Sequence, residues 1–280
     1  MKITIREAMR DDSLRLEAFL KRRFQTSMFL CSNLREYGIG NKKDDFAMRY
    51  FLREKGGVII GVGAVGNNGT LMMQANEGLT DIAAYMRDAL PKDMKFSVML
   101  GAAEQAGIFR TAFGLSDAPT TMDDIEPLFA LSLKDLIMPN IGPAVLRKTE
   151  MSDLPFLTDW AHAYDLETGL RVAGQDTRTD DVINRIKKDR SRVLMLGGTP
   201  VAQTGFNAVL PDAVQIGGVY TPPENRRRGY ARLAVALHLL EVRKSGVNDA
   251  ILFSANEHAS RAYRAIGFRE VGRYTIAIFA

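Results

Sequence analysis

The stretch Val219-Tyr-Thr-Pro-Pro-Glu-Asn-Arg-Arg-Arg-Gly-Tyr-Ala231 has the pattern of a strand end, a short turn and the start of a helix. The first N–H groups of a helix have no partner within it, and the helix macrodipole favours an anion at that end. Three arginines, Arg226, Arg227 and Arg228, stand directly before the helix, so the stretch predicts a phosphate-binding loop.

The composition is that of a folded protein with a substantial core. The chain has 280 residues, of which 46% are hydrophobic, which argues against disorder. The net charge of +4 is small for this length and acidic residues are interspersed, so we expect an anionic small ligand to be permitted and nucleic acid not to be a partner.

Cysteine and histidine are scarce. The single cysteine, Cys31, excludes an intramolecular disulfide, and the three histidines have unrelated spacings, so we expect no metal site. The first residues, Met-Lys-Ile-Thr-Ile-Arg-Glu-Ala, resemble an amphipathic strand and not a signal peptide or a membrane span. We therefore predict a cytoplasmic protein without a membrane partner. The sequence makes no prediction of its oligomeric state.

Two segments 141 positions apart share one pattern. Ile5-Arg-Glu-Ala-Met-Arg-Asp-Asp12 and Leu146-Arg-Lys-Thr-Glu-Met-Ser-Asp153 each end a strand on an arginine and reach an aspartate that can cap a helix. An amphipathic helix follows in both. Because the offset is about half the chain, we predict two α/β domains of one plan in tandem, residues 1–138 and 145–280, joined by a linker at residues 139–144.

Each half is predicted to continue with a strand pair joined at glycines. In the first half the strands are residues 58–63 and 71–74, and in the second half they are residues 193–196 and 201–209. A helix, a strand, a helix and a closing strand follow in each half. The predicted closing strands are residues 128–136 and 273–279.

A second motif follows the arginine loop by about 30 residues: Leu252-Phe-Ser-Ala-Asn-Glu-His-Ala-Ser-Arg-Ala-Tyr-Arg-Ala-Ile-Gly-Phe268. Asn256, Ser260 and Tyr263 are spaced i, i+4, i+7 and so share one helix face. This stretch and the spacing R-x-x-G-x-A of the arginine loop together resemble the GNAT superfamily of N-acetyltransferases. The resemblance covers roughly residues 145–280 and implies an α+β fold of two tandem GNAT-like domains, each a mixed, mostly antiparallel sheet flanked by helices.

The resemblance implies an activity and a set of roles. The implied activity is transfer of an acetyl group from the co-substrate acetyl-CoA to a primary amine of a small molecule or peptide, with no metal. Tyr263 would protonate the departing thiolate. A backbone N–H near Val219 or Tyr220, on a strand splayed at Gly217 and Gly218, would stabilise the oxyanion. The residues implied to contact the cofactor are Val219, Tyr220, Arg226, Arg227, Arg228, Gly229, Tyr230, Ala231, Asn256 and Ser260.

Structural roles compete with some of these assignments. Asn256 also fits a helix N-cap, and Tyr263 also fits a half-buried core aromatic. The strand that feeds the loop carries Gln215 where many GNAT enzymes have a glutamate base, and an amide cannot accept the proton. Water, or a carboxylate such as Glu167, Asp165 or Glu224, is then the candidate base. The alternative function is a non-catalytic acyl-CoA-binding or sensor protein.

The first half is predicted to lack a working cofactor site. At the matching place it has Gln74-Ala-Asn-Glu-Gly-Leu-Thr-Asp81, without the arginines and with an acidic residue where phosphate would bind. The glycines of Gly61-Val-Gly-Ala-Val-Gly66 match a dinucleotide fingerprint, but the following Asn67-Asn68-Gly69 predicts a hairpin and not the required helix. We therefore expect only the second half to bind acetyl-CoA.

Overall fold

The structure is a computed structural model that describes residues 2–140, 142–169 and 178–280. The chain divides into two compact units. Unit 1 comprises residues 1–126 and 272–280, and unit 2 comprises residues 127–271. Each is a mixed, mostly antiparallel sheet flanked by helices, which confirms the predicted fold class.

Unit 1 begins with a strand and two helices and continues with a meander. Its strands are β1 (Ile3–Glu7), β2 (Met48–Lys55), β3 (Val58–Gly66), β4 (Thr70–Ala75), β5 (Val98–Ala102) and the first part of β6 (Thr120–Ser132). Its helices are α1 (Ser13–Lys21), α2 (Phe24–Tyr37), α3 (Leu79–Ala89) and α4 (Ala103–Ala112). The strands β1 to β4 pair antiparallel in chain order, and β4 pairs parallel with β5. The core between this sheet and α3 and α4 includes Phe51, Met86 and Phe109.

Unit 2 repeats this order. Its strands are β7 (Val145–Lys148), β8 (Ser191–Leu196), β9 (Thr199–Val209), β10 (Ala213–Tyr220), β11 (Asp249–Phe253) and the first residues of β12 (Arg269–Phe279). Its helices are α5 (Leu154–Thr168), α6 (Arg178–Lys187), α7 (Tyr230–Lys244) and α8 (Glu257–Arg264). The strands β7 to β10 pair antiparallel in chain order, and β10 pairs parallel with β11. The core includes Phe206, Ile216 and Leu239.

The closing strands are exchanged between the two halves of the sequence: β12 completes the sheet of unit 1, and β6 completes the sheet of unit 2. Within unit 1, β5 pairs antiparallel with the end of β12, from Ala102 with Tyr274 to Val98 with Ile278. Within unit 2, β11 pairs antiparallel with the end of β6 over residues 128–132. The units therefore differ from the predicted domains 1–138 and 145–280 by this exchange, and the described part of the predicted linker lies inside unit 2.

The internal repeat is visible as the same ion pair in both units. Arg6 donates to Asp12 from Nη1 and Nη2, each at 2.7 Å, and Arg147 donates to Asp153 in the same way at 2.7 and 2.8 Å. In each case the aspartate also accepts a backbone N–H three residues before it. The hydrogen bond from Arg6 lowers the pKa of Asp12 to about 2, and that from Arg147 lowers the pKa of Asp153.

One predicted equivalence is wrong. Both predicted hairpins exist, as β3–β4 and β8–β9. The hairpin that occupies the place of β8–β9 in unit 1 is, however, β2–β3, whose turn glycines Gly56 and Gly57 lie 141 positions before Gly197 and Gly198. All four have positive φ. The sequence pattern did not predict β2, because charged residues such as Arg53 and Glu54 interrupt its apolar residues. Both side chains are buried in the structure, and Glu54 pairs with Arg6 and Arg15.

Candidate functional site

The strand β10 separates from β11 before it ends. In the described chain the two are paired only from Ala213–Ile216 to Asp249–Leu252. Beyond Ile216 the pairing of β10 with β9 is irregular, from Gly217 to Tyr220, and Gly218 has φ 63°. This confirms the bulge predicted at the glycine pair. The backbone around Val219 therefore faces a gap in the parallel ladder.

The predicted phosphate loop connects the end of β10 to α7. A single 3₁₀ turn, Pro223–Asn225, is followed by Arg227 at φ 62° and by Gly229, the N-cap of α7, at φ 80°. The first bond of the helix runs from Leu233 N–H to the carbonyl of Gly229 at 3.0 Å. The N–H groups of residues 230–232 therefore have no partner within the helix, which is the arrangement that binds anions.

Gly229 is required by its backbone conformation. A Cβ at this position would meet only Nη2 of Arg232, at 3.4 Å, so no protein atom crowds it. The left-handed φ is the constraint, because a side chain there raises the energy of the backbone.

The three arginines of the loop have different surroundings. Arg226 donates from Nη2 to both carboxylate oxygens of Glu167, at 2.6 and 2.8 Å, and from Nε to the carbonyl of Thr221 at 2.9 Å. Its guanidinium also lies 5.7 Å from the ring centroid of Tyr220. Arg227 and Arg228 are exposed and make no ion pair with the described residues. Arg226 thus attaches the loop to α5 through Glu167, while the guanidinium groups of Arg227 and Arg228 are exposed to solvent.

Glu167, predicted as a candidate base, lies near the end of α5 and forms an ion pair with Arg226. Burial raises the pKa of the Tyr220 hydroxyl, and the negative charge of Glu167 raises it further. The Tyr220 ring packs on Trp160 of α5, with centroids 5.8 Å apart. These contacts join α5 to the end of β10. Glu167 therefore has a structural role as the partner of Arg226.

The start of α8 is built from a hydrogen-bonded cap. Asn256 Oδ1 accepts the N–H of Ala259 at 3.0 Å, which is the N-cap role predicted as its alternative. Ser260, 2% exposed, donates to Oγ of Ser254 at 3.0 Å, and Ser254 donates to the carbonyl of Asn256 at 3.1 Å. Both residues therefore fix the turn between β11 and α8, and their contact with a cofactor stays a prediction.

Tyr263 is buried, with 8% of its surface exposed, and its ring meets Phe268 edge to face at 6.0 Å. It belongs to the unit 2 core with Ile216 and Leu252, the last paired residues before β10 and β11 separate. The ring is thus a core aromatic placed close to that gap. Its role as general acid stays a prediction.

Sequence reasoning missed two residues at the bend of β10. Arg185 of α6 donates to Asn207 of β9 at 2.7 Å, and Asn207 lies against Gly217. The signal in the sequence was a polar residue, Asn207, among the apolar residues of β9. In the structure, a register shift leaves Asn207 without a pairing partner on β10. Asn207 is exposed, so its carboxamide is accessible to a ligand.

The matching place in unit 1 is occupied by side chains of unit 1. Gly78 is the N-cap of α3, with φ 72°, as Gly229 is for α7. Nε of Arg53 would lie 2.3 Å from a Cβ at Gly78, and the guanidinium bonds Glu77 at 3.3 Å and pairs with Asp81 at 3.6 Å. The buried guanidinium of Arg53 and the carboxylates of Glu77 and Asp81 thus lie together at the start of α3. That this half binds no cofactor stays a prediction.

The described residues contain no helix that is long and apolar enough to cross a membrane. The same residues include no group of three or more His, Cys, Asp or Glu side chains that could hold a metal ion.

Comparison with known proteins identifies the class of fold. Residues 207–276, which span β10, α7, β11 and α8, match the family model described as FR47-like protein, a GNAT-type family. The chain is similar over its whole length to a GNAT-family acetyltransferase from Colwellia psychrerythraea, with 14% identity, 100% of both chains covered and a TM-score of 0.58. It therefore has the GNAT fold, as the resemblance in sequence predicted.

Two further structures support the tandem arrangement. A tandem GNAT protein from the clavulanic acid biosynthesis pathway matches with 13% identity over 99% of this chain and 98% of that one, at a TM-score of 0.58. A GCN5-related N-acetyltransferase from Sphaerobacter thermophilus matches with 14% identity over 98% and 94%, at 0.57. No curated protein sequence matches the chain. The chain thus has a tandem GNAT fold, and residues 207–276 within its second half are similar to the FR47-like family.

Proposed function

We propose that this protein transfers an acetyl group from acetyl-CoA to a primary amine, and that unit 2 carries the reaction. The observation that supports this most is the gap between β10 and β11, which leads directly to a helix N-terminus with free N–H groups. The exposed cations Arg227 and Arg228 flank that terminus. A pyrophosphate suits the helix end, and an extended thiol arm suits a gap between two strands.

The residues of unit 2 supply most of what acyl transfer requires. A backbone N–H near Val219, left without a partner on β11, donates to the thioester oxygen as charge develops on it. The amine nitrogen bonds to the carbonyl carbon, the carbon–sulfur bond breaks, and Tyr263 protonates the thiolate of CoA. Asn256 and Ser260 shape the turn beside the thiol arm.

We assign removal of the amine proton to water. Glu167 is bonded to Arg226, and Gln215 on β10 has no basic atom for a proton. Of the other carboxylates named from the sequence, Asp165 is buried in α5 and Glu224 is exposed in the loop. A reaction of this kind depends on the fraction of unprotonated amine, so its rate rises with pH toward the pKa of the acceptor.

The alternative function is a non-catalytic acyl-CoA-binding or sensor protein. The absence of a carboxylate on the described β10 favours it, and Tyr263 favours catalysis. Calorimetric titration with acetyl-CoA comes first, followed by an assay of CoA thiol release over a panel of small and peptide amines. Acetyl-CoA binding together with amine-dependent release of the CoA thiol supports the enzyme. Binding without thiol release for any amine supports the sensor protein, and a lack of acetyl-CoA binding contradicts both functions. The cytoplasmic location and the absence of nucleic-acid and membrane partners stay predictions.

A further inference from the structure

A polar group lies on one face of the unit 2 sheet at the point where β10 leaves β11. Ile216 packs in the core cluster that contains α7. Successive side chains of a strand point to opposite faces, so Gln215 and Gly217 face away from α7. This is the face on which α6 places Arg185.

Arg185 and Asn207 cover the backbone of the bend. Asn207 lies so close to Gly217 that a Cβ there would be 1.9 Å from its Nδ2. Nη1 of Arg185 lies 2.9 Å from the position that a Cβ of Gly218 would take, and Nη2 donates to Oδ1 of Asn207 at 2.7 Å. The two glycines therefore make room for a guanidinium and a carboxamide directly over the place where the parallel ladder opens.

Gln215 adds an independent observation on the same face. The side chain is 2% exposed, and its Nε2 donates to the carbonyl of Ile216 at 2.7 Å. Its Oε1 is buried and has no hydrogen-bond partner among the described residues. A buried acceptor without a donor is unfavourable, and an N–H group of a ligand would satisfy it.

We propose that Arg185, Asn207 and Gln215 form the acceptor site, and that the acceptor is an amine with a carboxylate close to its nitrogen, such as a small amino acid. This rests on the proposed acetyl transfer. The planar fork of the guanidinium matches a carboxylate, and Nδ2 of Asn207 offers further N–H donors to it. Oε1 of Gln215 accepts an N–H of the amine. Positions 215 and 217 are about 7 Å apart along the strand, which suits a compact acceptor.

The test compares matched acceptors that differ only in the carboxylate. Thiol release from acetyl-CoA is measured with glycine and glycinamide, and with β-alanine and β-alaninamide, for the wild type and for Arg185→Gln. The variant is expected to raise KM for the two carboxylates about 10- to 100-fold, the effect of one lost charge-assisted hydrogen bond. KM for the two amides and the affinity for acetyl-CoA stay close to the wild-type values.

Three further variants separate recognition from structural damage. Arg185→Lys keeps the charge without the fork and is expected to show a smaller rise in KM for the carboxylates. Lys187→Gln, exposed on the same helix, is the matched control and leaves every KM unchanged. Gln215→Met, which removes the acceptor atom from the amine, lowers kcat/KM for carboxylates and amides alike. Circular dichroism and calorimetry with acetyl-CoA show that each variant is folded.

The outcomes separate this inference from the function on which it rests. An equal change in KM for carboxylates and amides in Arg185→Gln, or no change in either, overturns the acceptor assignment alone. So does a wild type that prefers the amides. A panel in which no amine is acetylated overturns the proposed acetyl transfer and this inference together.

Discussion

Arg226 donates two hydrogen bonds to the carboxylate of Glu167, at 2.6 and 2.8 Å, and so joins the phosphate loop to the end of α5. Both side chains are partly exposed, at 41% and 45%, so the pair contributes at most about 1 kcal/mol to stability. Its main effect is on position. It fixes Arg226 against Tyr220 and leaves Arg227 and Arg228 as the cations available to a phosphate.

Glu167→Gln is expected to lower turnover by less than about fivefold. An amide still accepts a hydrogen bond from Arg226, and a carboxylate already held in an ion pair is a poor general base. Loss of a true base lowers turnover about 10²- to 10⁴-fold. The pH–rate profile of the variant checks this. Loss of the profile's acidic limb together with a large fall in kcat would identify Glu167 as the base.

Tyr263→Phe is expected to lower kcat about 10²-fold or more while the affinity for acetyl-CoA stays within a few-fold, because the hydroxyl acts only on the leaving thiolate. The ring is kept, so its packing on Phe268 is kept. Steady-state kinetics and calorimetry on the same preparation measure both quantities. Wild-type turnover in this variant would show that another group protonates the thiolate.

Gly229→Val is expected to weaken acetyl-CoA binding at least about tenfold. The side chain strains the backbone at φ 80° by roughly 1–2 kcal/mol, and relief of that strain shifts the loop that presents the N–H groups of residues 230–232. Gly246→Val is the matched control, since Gly246 follows the same helix, has φ 98° and has open space around it. Calorimetry should show a weaker Kd only for the first variant. Equal affinities would remove the pyrophosphate from this loop.

The double variant Arg227→Gln, Arg228→Gln is expected to weaken acetyl-CoA binding about tenfold at low salt and to reduce the salt dependence of the affinity. Exposed cations attract a phosphate mainly through charge, which salt screens. Titrations at several salt concentrations measure this effect. Replacing Lys42, an exposed cation of unit 1, by Gln provides the comparison and should change neither quantity.

His238 is expected to make the protein less stable below neutral pH. It is 1% exposed and stacks on Phe206, and its burial, together with the positive charge of Arg192, lowers its pKa to about 3. The ordinary pKa of His is about 6.5, so between pH 6.5 and 3 the unfolded chain binds a proton that the folded chain does not. This contribution to stability is present above pH 6.5 and is lost as pH falls, by about 1.4 kcal/mol per pH unit.

Denaturant unfolding of the wild type and of His238→Leu from pH 7 to pH 4 checks this. The difference between the two stabilities should change across the range in favour of the variant. The exposed His258→Gln is the control and should follow the wild type. A constant difference between wild type and His238→Leu would show that His238 takes up its proton over the same pH range in the folded and the unfolded chain.

Local features were predictable because they depend on residues close together in the chain. The end of β10, the loop and the start of α7 were predicted from the arginines and Gly229, and the structure has this helix at Tyr230–Lys244. The bulge at Gly217 and the cap at Asn256 were readable for the same reason. The repeated motif predicted that Asp12 and Asp153 cap the following helix; their side chains make no cap hydrogen bond to the described residues of α1 or α5 and instead pair with Arg6 and Arg147.

The sequence by itself determined the two-fold repeat, the turn glycines and the anion-binding loop, since each is set by backbone preferences over a few residues. Only the tertiary structure decided that β6 and β12 exchange sheets, that Glu167 holds Arg226, and that Arg53 occupies the matching place in unit 1. These contacts join distant parts of the chain. The alternating pattern of a closing strand is the same whichever sheet it joins, and a charged side chain carries no sign of its partner until folding brings the two together.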